Sequence, residues 1–259
     1  MFGEAHEPLL GLYHPPAGSS PRRHGVVLLN PFGQEYLRAH RTLRQLAERL
    51  AQSGFHTLRF DYFGCGDSAG EDHEVRLSRG LDDVEAAVEE LEELSGSARP
   101  ILVGLRLGAV LALRFAGRNP SVEALVLWDP VRDGRGYLEE LTAVHQVWMR
   151  EHARKRQPPA PGPPEELLGF PLPEALRREI ESVDLIGHRS SPARKTLVLA
   201  PEQDPPLFPD GPPQDGTLDR LRPAGAPPWR WGGDDGMESS LVSVEALEQV
   251  TGWLEGQCP

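Results

Sequence analysis

The nine residues Ile101-Leu102-Val103-Gly104-Leu105-Arg106-Leu107-Gly108-Ala109 decide how the rest of the chain is read. Ile101 to Gly104 is a short apolar run of the kind that forms a buried strand, and residues 107–117 are small and apolar enough for a tightly packed helix. Only Leu105 and Arg106 separate the two patterns, so the chain must reverse sharply at G-x-R-x-G. Gly104 and Gly108 fit such a turn because a Cβ at either end would meet neighbouring backbone. A strand–turn–helix of this shape presents its middle side chain above the sheet, which is where a G-x-S-x-G turn carries a nucleophilic serine. Here the middle residue is Arg106. A guanidinium stays protonated at any ordinary pH and cannot attack a carbonyl.

Outward from this turn, short strands alternate with helical periodicity. Val26 to Asn30 is an apolar run closed by Pro31 and Gly33, and Thr57 to Phe60, Ala124 to Trp128 and Thr196 to Ala200 read the same way. Leu43, Leu46, Ala47 and Leu50 mark one helix, and Leu81, Val84, Val88 and Leu91 an acidic second. Val244, Leu247, Val250 and Leu254 mark a closing third. Leu9 to Tyr13 is expected to add an antiparallel edge strand. The repetition predicts an α/β fold over 1–259, a mostly parallel sheet with helices on both faces. About 65 residues, 131–195, separate two of the strands, which is too long for a plain connection. They hold helical stretches near 136–156 and 173–186 around a proline-rich spacer at 157–164, and predict a helical cap inserted at the carboxyl end of the sheet. The segment 201–228 carries nine prolines and is expected to lack regular structure, with a last short strand at Trp229–Trp231.

Composition narrows the function. Of 259 residues, 39% are apolar, which suffices for a large core, and 27 basic against 39 acidic residues give a net charge of −12. That charge argues against nucleic acid or an anionic membrane as partner. Two cysteines, Cys65 and Cys258, make no disulfide framework. Neither a signal peptide nor an apolar run long enough to span a membrane is evident, so a cytoplasmic location is expected. No zinc spacing, EF-hand or phosphate loop is present, so neither a metal nor a cofactor is expected.

These motifs resemble the α/β-hydrolase superfamily from Val26 to Leu254. Three stretches also resemble the exosortase A system-associated predicted hydrolases: Asn30 to Tyr36 with His40-Arg41, Leu58 to Ser68, and Gly104 to Ala109. The resemblance implies a Ser–His–acid triad. Its nucleophile position is Arg106, its acid position matches Asp204, and its histidine belongs near 232–238. No histidine follows His188. The chain therefore reads as a degenerate triad without its Ser and His, in which a conventional serine mechanism has no nucleophile and no base.

Two readings of Arg106 stay open. It binds the carboxylate or phosphate of a small ligand at a helix N-terminus, or it forms an internal ion pair with Glu35 or Asp129. Phe32, Gly33, Glu35, His40, Arg106 and Leu107 are the candidate ligand-binding residues. Asp129 and Cys65 join Arg106 and Asp204 as candidates for chemistry, with Cys65 a spare nucleophile that His40 or His145 would have to activate. Asp61, Asp67 and Ser68 are expected to bond their own turn. The expected function is a pseudoenzyme binding a small acyl or carboxylate metabolite under the cap. The alternative is a non-serine hydrolase or acyl-transfer enzyme acting on an ester or thioester. The candidate partners are an acyl or anionic small molecule and a carrier or partner protein.

Overall fold

The computed structural model of the chain describes all residues except 18–20, 98, 153–163, 202, 203, 205, 214 and 224–242. The apolar runs become strands β1 (Gly11–His14), β2 (Gly25–Leu29), β3 (His56–Phe60), β4 (Ile101–Leu105) and β5 (Ala124–Trp128). Between them lie helices α1 (Gln34–Gln52), α2 (Leu77–Ser95) and α3 (Leu107–Arg118). After β5 come α4 (Gly134–His152), a hairpin of β6 (Glu166–Leu167) and β7 (Phe170–Pro171), and α5 (Glu174–Glu181). Strands β8 (Lys195–Leu199) and β9 (Thr217–Leu221) and helix α6 (Val244–Gln257) complete the described elements.

Seven of these strands form one sheet in the order β1-β3-β2-β4-β5-β8-β9. Every pairing is parallel except β1 with β3, where Gly11 faces Phe60 and the edge strand expected near Leu9 to Tyr13 is found. Strands β2, β4 and β5 are buried along their whole length, as strands covered on both faces must be. Alternation divides their side chains between two cores. Val26, Leu28, Val103 and Leu105 meet Leu43 and Leu46 of α1 and Leu247 and Leu254 of α6. Val27, Leu29, Leu102 and Leu125 meet the faces of α2 and α3, including Val84, Leu91 and Leu111.

Two expectations are corrected. The proline-rich stretch does hold regular structure, because Thr217–Leu221 pairs in parallel with β8 at five successive positions, from Lys195↔Thr217 to Leu199↔Leu221. Its five residues contain no proline, and Pro213 and Pro223 stand outside it, so none of its donors is lost to the ladder. Trp229–Trp231 lies outside the described residues, as does nearly all of the spacer at 157–164. The helix expected over 173–186 ends at Glu181, where Val183 and Leu185 turn back to bond Gly134 and Arg132 through backbone contacts. Among the described residues, no helix is long and apolar enough to cross a membrane.

Candidate functional site

The turn after β4 has the strained geometry its glycines predict. Arg106 sits at φ 55° and ψ −116°, in the left-handed half of the map that non-glycine residues rarely enter, and caps α3. A Cβ on Gly108 would lie 2.3 Å from the Leu29 carbonyl oxygen, and one on Gly104 would lie 2.4 Å from the Gly108 carbonyl oxygen. Asp129, just past β5, also has a positive φ of 44°, and its N–H donates to the Leu199 carbonyl at 2.7 Å. Arg106 N–H donates to the Trp128 carbonyl at 3.1 Å, which ties the two turns together.

These backbones bring one cation between two carboxylates. Arg106 Nε donates to Glu35 Oε1 at 2.9 Å, and Nη1 donates to the Asp129 carbonyl at 3.1 Å while lying 3.5 Å from Asp129 Oδ2. The Arg106 side chain is 8% exposed, and those of Glu35 and Asp129 are each 2% exposed. Tyr137, at the start of α4, donates its hydroxyl to Glu35 Oε2 at 3.0 Å, and its ring lies 5.3 Å from the guanidinium carbon. Burial works against the charge on Arg106, but the Glu35 and Asp129 carboxylates outweigh it and hold the guanidinium protonated. For Glu35, burial is the larger effect and raises the pKa above the usual carboxylate range against the pull of Arg106. The internal ion pair is thus the state in which the structure places Arg106.

Above this cluster lies a cavity of about 460 Å³. Its floor includes Phe32, Gly33, Glu35 and Leu107, four of the residues expected to bind ligand. Its roof comes from the segment between β5 and β8: Leu138, Leu141, Leu167, Phe170, Leu172 and Ile180. Arg106 and Asp129 do not form part of its wall. Instead, Glu35 and Tyr137 reach it from that cluster, and Gln34, Tyr36, Cys65, Glu71 and Asp72 also line it.

Other candidates are placed elsewhere. His40 lines a separate small cleft with Asn30, Arg59 and Asp61, and its Nε2 lies 3.4 Å from Arg59 Nη1. Asp204 lies 3.5 Å from Arg132 Nε. Cys65 does line the cavity, but burial, reinforced by Asp61, Asp83 and Asp72, pushes its thiol up to about 12. His145, expected to approach Cys65, instead accepts the Leu168 N–H at 3.0 Å and anchors the hairpin. Asp61 serves its own turn, accepting from Tyr36 Oη at 2.7 Å and from Asp67 N–H at 3.2 Å. Among the described residues, the group with metal-ligand spacing is Glu4, His6 and Glu7, on the N-terminal segment.

Sequence reasoning missed Tyr137 and the apolar roof. Their only advance signal was the amphipathic pattern of 136–156 and 173–186, which shows that a face is buried without showing what it covers.

Residues 21–189 match the family described as serine aminopeptidase, S33. Similar solved structures include Est1E from Butyrivibrio proteoclasticus with bound ferulic acid, at 16% identity over 99% of this chain and 98% of that one, with a TM-score of 0.65. A monoacylglycerol lipase from Paleococcus ferrophilus aligns at 18% identity, 96% and 99% coverage and a TM-score of 0.61. The α/β hydrolase GrgF from Penicillium sp. sh18 aligns at 17% identity, 96% and 94% coverage and a TM-score of 0.59. At such identities the likeness is one of fold, and the fold is that of the α/β-hydrolases. No curated protein matches the chain.

Proposed function

This chain belongs to the serine aminopeptidase, S33, family of α/β-hydrolase-fold proteins, and on that premise we propose that it binds a small acyl-type molecule without hydrolysing it. The observation that carries this reading is the state of Arg106. At the point where the fold offers its nucleophile stands a buried cation, bonded at 2.9 Å to Glu35 and neutralised from the other side by Asp129. A side chain so held neither attacks a carbonyl nor activates water.

Further support comes from the groups that would have to replace the missing serine. The sequence has no histidine after His188, so the base position near 232–238 cannot be filled by one. Cys65 reaches the cavity with a thiol that stays protonated at neutral pH. Glu35 is the carboxylate at the floor, and both its oxygens are engaged, one by Arg106 and the other by Tyr137. This combination is that of a degenerate triad, and the three stretches quoted above favour the exosortase A system-associated group within the superfamily.

The cavity supplies the binding half of the reading. The described parts of residues 131–195 act as the cap, and their leucines close an apolar space over Phe32 and Leu107. About 460 Å³ falls within the range of roughly 300–1,000 Å³ typical of small-molecule sites. Burial of an alkyl or aryl body there is favourable by about 0.8 kcal/mol per methylene. Because the Arg106 charge is already matched, the acyl part of the expected ligand is supported rather than a carboxylate.

Equilibrium dialysis against methyl decanoate tests the proposal. Retention of intact ester, lost in a Leu141→Trp variant that fills the roof, is the expected result. Conversion to decanoic acid, or no retention, would overturn it.

A further inference from the structure

Beside the acyl cavity, and divided from it by Tyr36, which lines both, lies the small cleft that holds His40. Its volume is about 80 Å³, space for on the order of five waters or one molecule of that bulk. Asn30, Tyr36, His40, Arg59, Asp61 and Asp67 form its polar lining. Leu10, Leu12, Leu43 and Phe60 complete the wall.

The cleft holds charges of both signs that are not matched to one another. The Arg59 guanidinium donates through Nε to His14 Nε2 at 3.2 Å, and its Nη1 lies 3.4 Å from His40 Nε2. The groups against it are thus imidazoles rather than carboxylates. Burial first, and then the Arg59 charge, lower the His14 pKa, which leaves that ring neutral and able to accept. The Asp61 carboxylate takes its hydrogen bonds from uncharged donors, the Tyr36 hydroxyl at 2.7 Å and the Asp67 N–H at 3.2 Å. Among the described residues, none of Arg59, Asp61 and Asp67 joins an ion pair, although all three line one cleft. Asn30 is 6% exposed and gives its side-chain N–H to the Phe60 carbonyl at 2.5 Å. Its Oδ1 is left without a donor among the described residues. A guanidinium, two carboxylates and a buried amide oxygen therefore share this space without satisfying each other.

We propose that the cleft binds a small zwitterionic α-amino acid, of the size of glycine or alanine, at a site separate from the acyl cavity. The ligand carboxylate pairs with Arg59, and its ammonium lies among Asp61, Asp67 and Asn30 Oδ1. A lone anion would gain Arg59 but meet Asp61 and Asp67, and a lone cation would meet Arg59. A molecule carrying both charges a few bonds apart complements both sides. The small volume and the apolar wall leave room for a methyl side chain and exclude a long one.

Calorimetric titration of the full-length protein at pH 7 with L-alanine, propionate and ethylammonium tests this. Alanine should bind at least about tenfold more tightly than either single-charge analogue. Arg59→Gln should abolish that preference. Because Arg59 also bonds His14 and its loss risks disturbing the sheet edge, Asp67→Asn supplies a second variant. The Asp67 residue is exposed and its carboxylate accepts no hydrogen bond among the described residues, so this change should leave the fold intact and weaken alanine severalfold. Alanine binding no tighter than propionate or ethylammonium, or no binding at all, overturns the proposal. An unchanged alanine affinity in every variant that folds does so too. Retention of methyl decanoate is a separate measurement, so each of these failures leaves the acyl-binding reading standing.

Discussion

Arg106 Nε lies 2.9 Å from Glu35 Oε1 across a contact in which neither side chain is more than 8% exposed. The chain thus spans 71 residues to bring a carboxylate from the start of α1 to the cation at the turn before α3. Removing one member of such a pair leaves the others buried without compensation. Arg106→Met should strip the cation from between Glu35 and Asp129 and cost about 3–5 kcal/mol. Urea denaturation measures this, and Arg106→Met/Glu35→Gln should recover part of the loss. Equal stabilities for wild type and Arg106→Met would show that the pair contributes nothing.

The turn itself makes a separate prediction. A methyl on Gly108 has the Leu29 and Asn30 carbonyl oxygens at 2.3 and 2.5 Å, and both belong to the backbone at the end of β2. Neither atom can rotate away as a side chain would. Gly108→Ala should therefore destabilise the fold by about 3 kcal/mol or more. Gly117→Ala in the same helix, where nothing lies within 4 Å, should be neutral or slightly stabilising.

Cys65 should be a poor nucleophile. With its thiol pushed up to about 12, its thiolate fraction near neutral pH falls on the order of a thousandfold below that of a free cysteine. Iodoacetamide labelling of the native protein followed by peptide mapping should find Cys65 unmodified on the time scale that labels glutathione. Rapid labelling at pH 7 would contradict the burial that raises it.

A pH effect follows from Glu123. Burial there opposes the charge, but the Lys195 ammonium at 2.5 Å, with Arg99 at 3.3 Å, outweighs it and lowers the carboxyl pKa. A carboxyl depressed in the folded state contributes stability that is present above its unfolded pKa and lost as pH falls through the folded one. The stability difference between wild type and Glu123→Gln should thus be full at neutral pH and fade below about pH 4. A difference that stayed constant down to pH 2 would contradict the pairing. Glu35 works in the opposite sense, since its raised pKa makes its contribution more favourable in acid.

Much of this was legible beforehand. The β4 turn and α3 could be read from Gly104 and Gly108 because sterics dictate where glycine is required. The Arg106 partner could be named, since a buried cation needs a carboxylate and Glu35 and Asp129 both follow strands that end at the crevice. The turn role of Asp61 also holds, in its bonds to Tyr36 and Asp67. Strand β9 was hidden because Thr217–Leu221 is a half-exposed edge strand with only two leucines, set among prolines whose effect stops short of it. His40 was misplaced for a geometric reason. It lies five residues after Glu35 in α1, which rotates it about 140° around the helix, away from the cavity. Tyr137 was illegible because its role depends on how the segment after β5 folds back over the sheet, and nothing local to the sequence encodes that.

The most direct test of the account is hydrolysis of p-nitrophenyl esters and acyl thioesters by wild type, Arg106→Ala and Cys65→Ala prepared side by side. The account predicts rates indistinguishable from heat-denatured protein in all three, because a paired guanidinium and a protonated thiol leave no activated nucleophile. Turnover by the wild type that is abolished in one variant would contradict it and would identify the residue responsible.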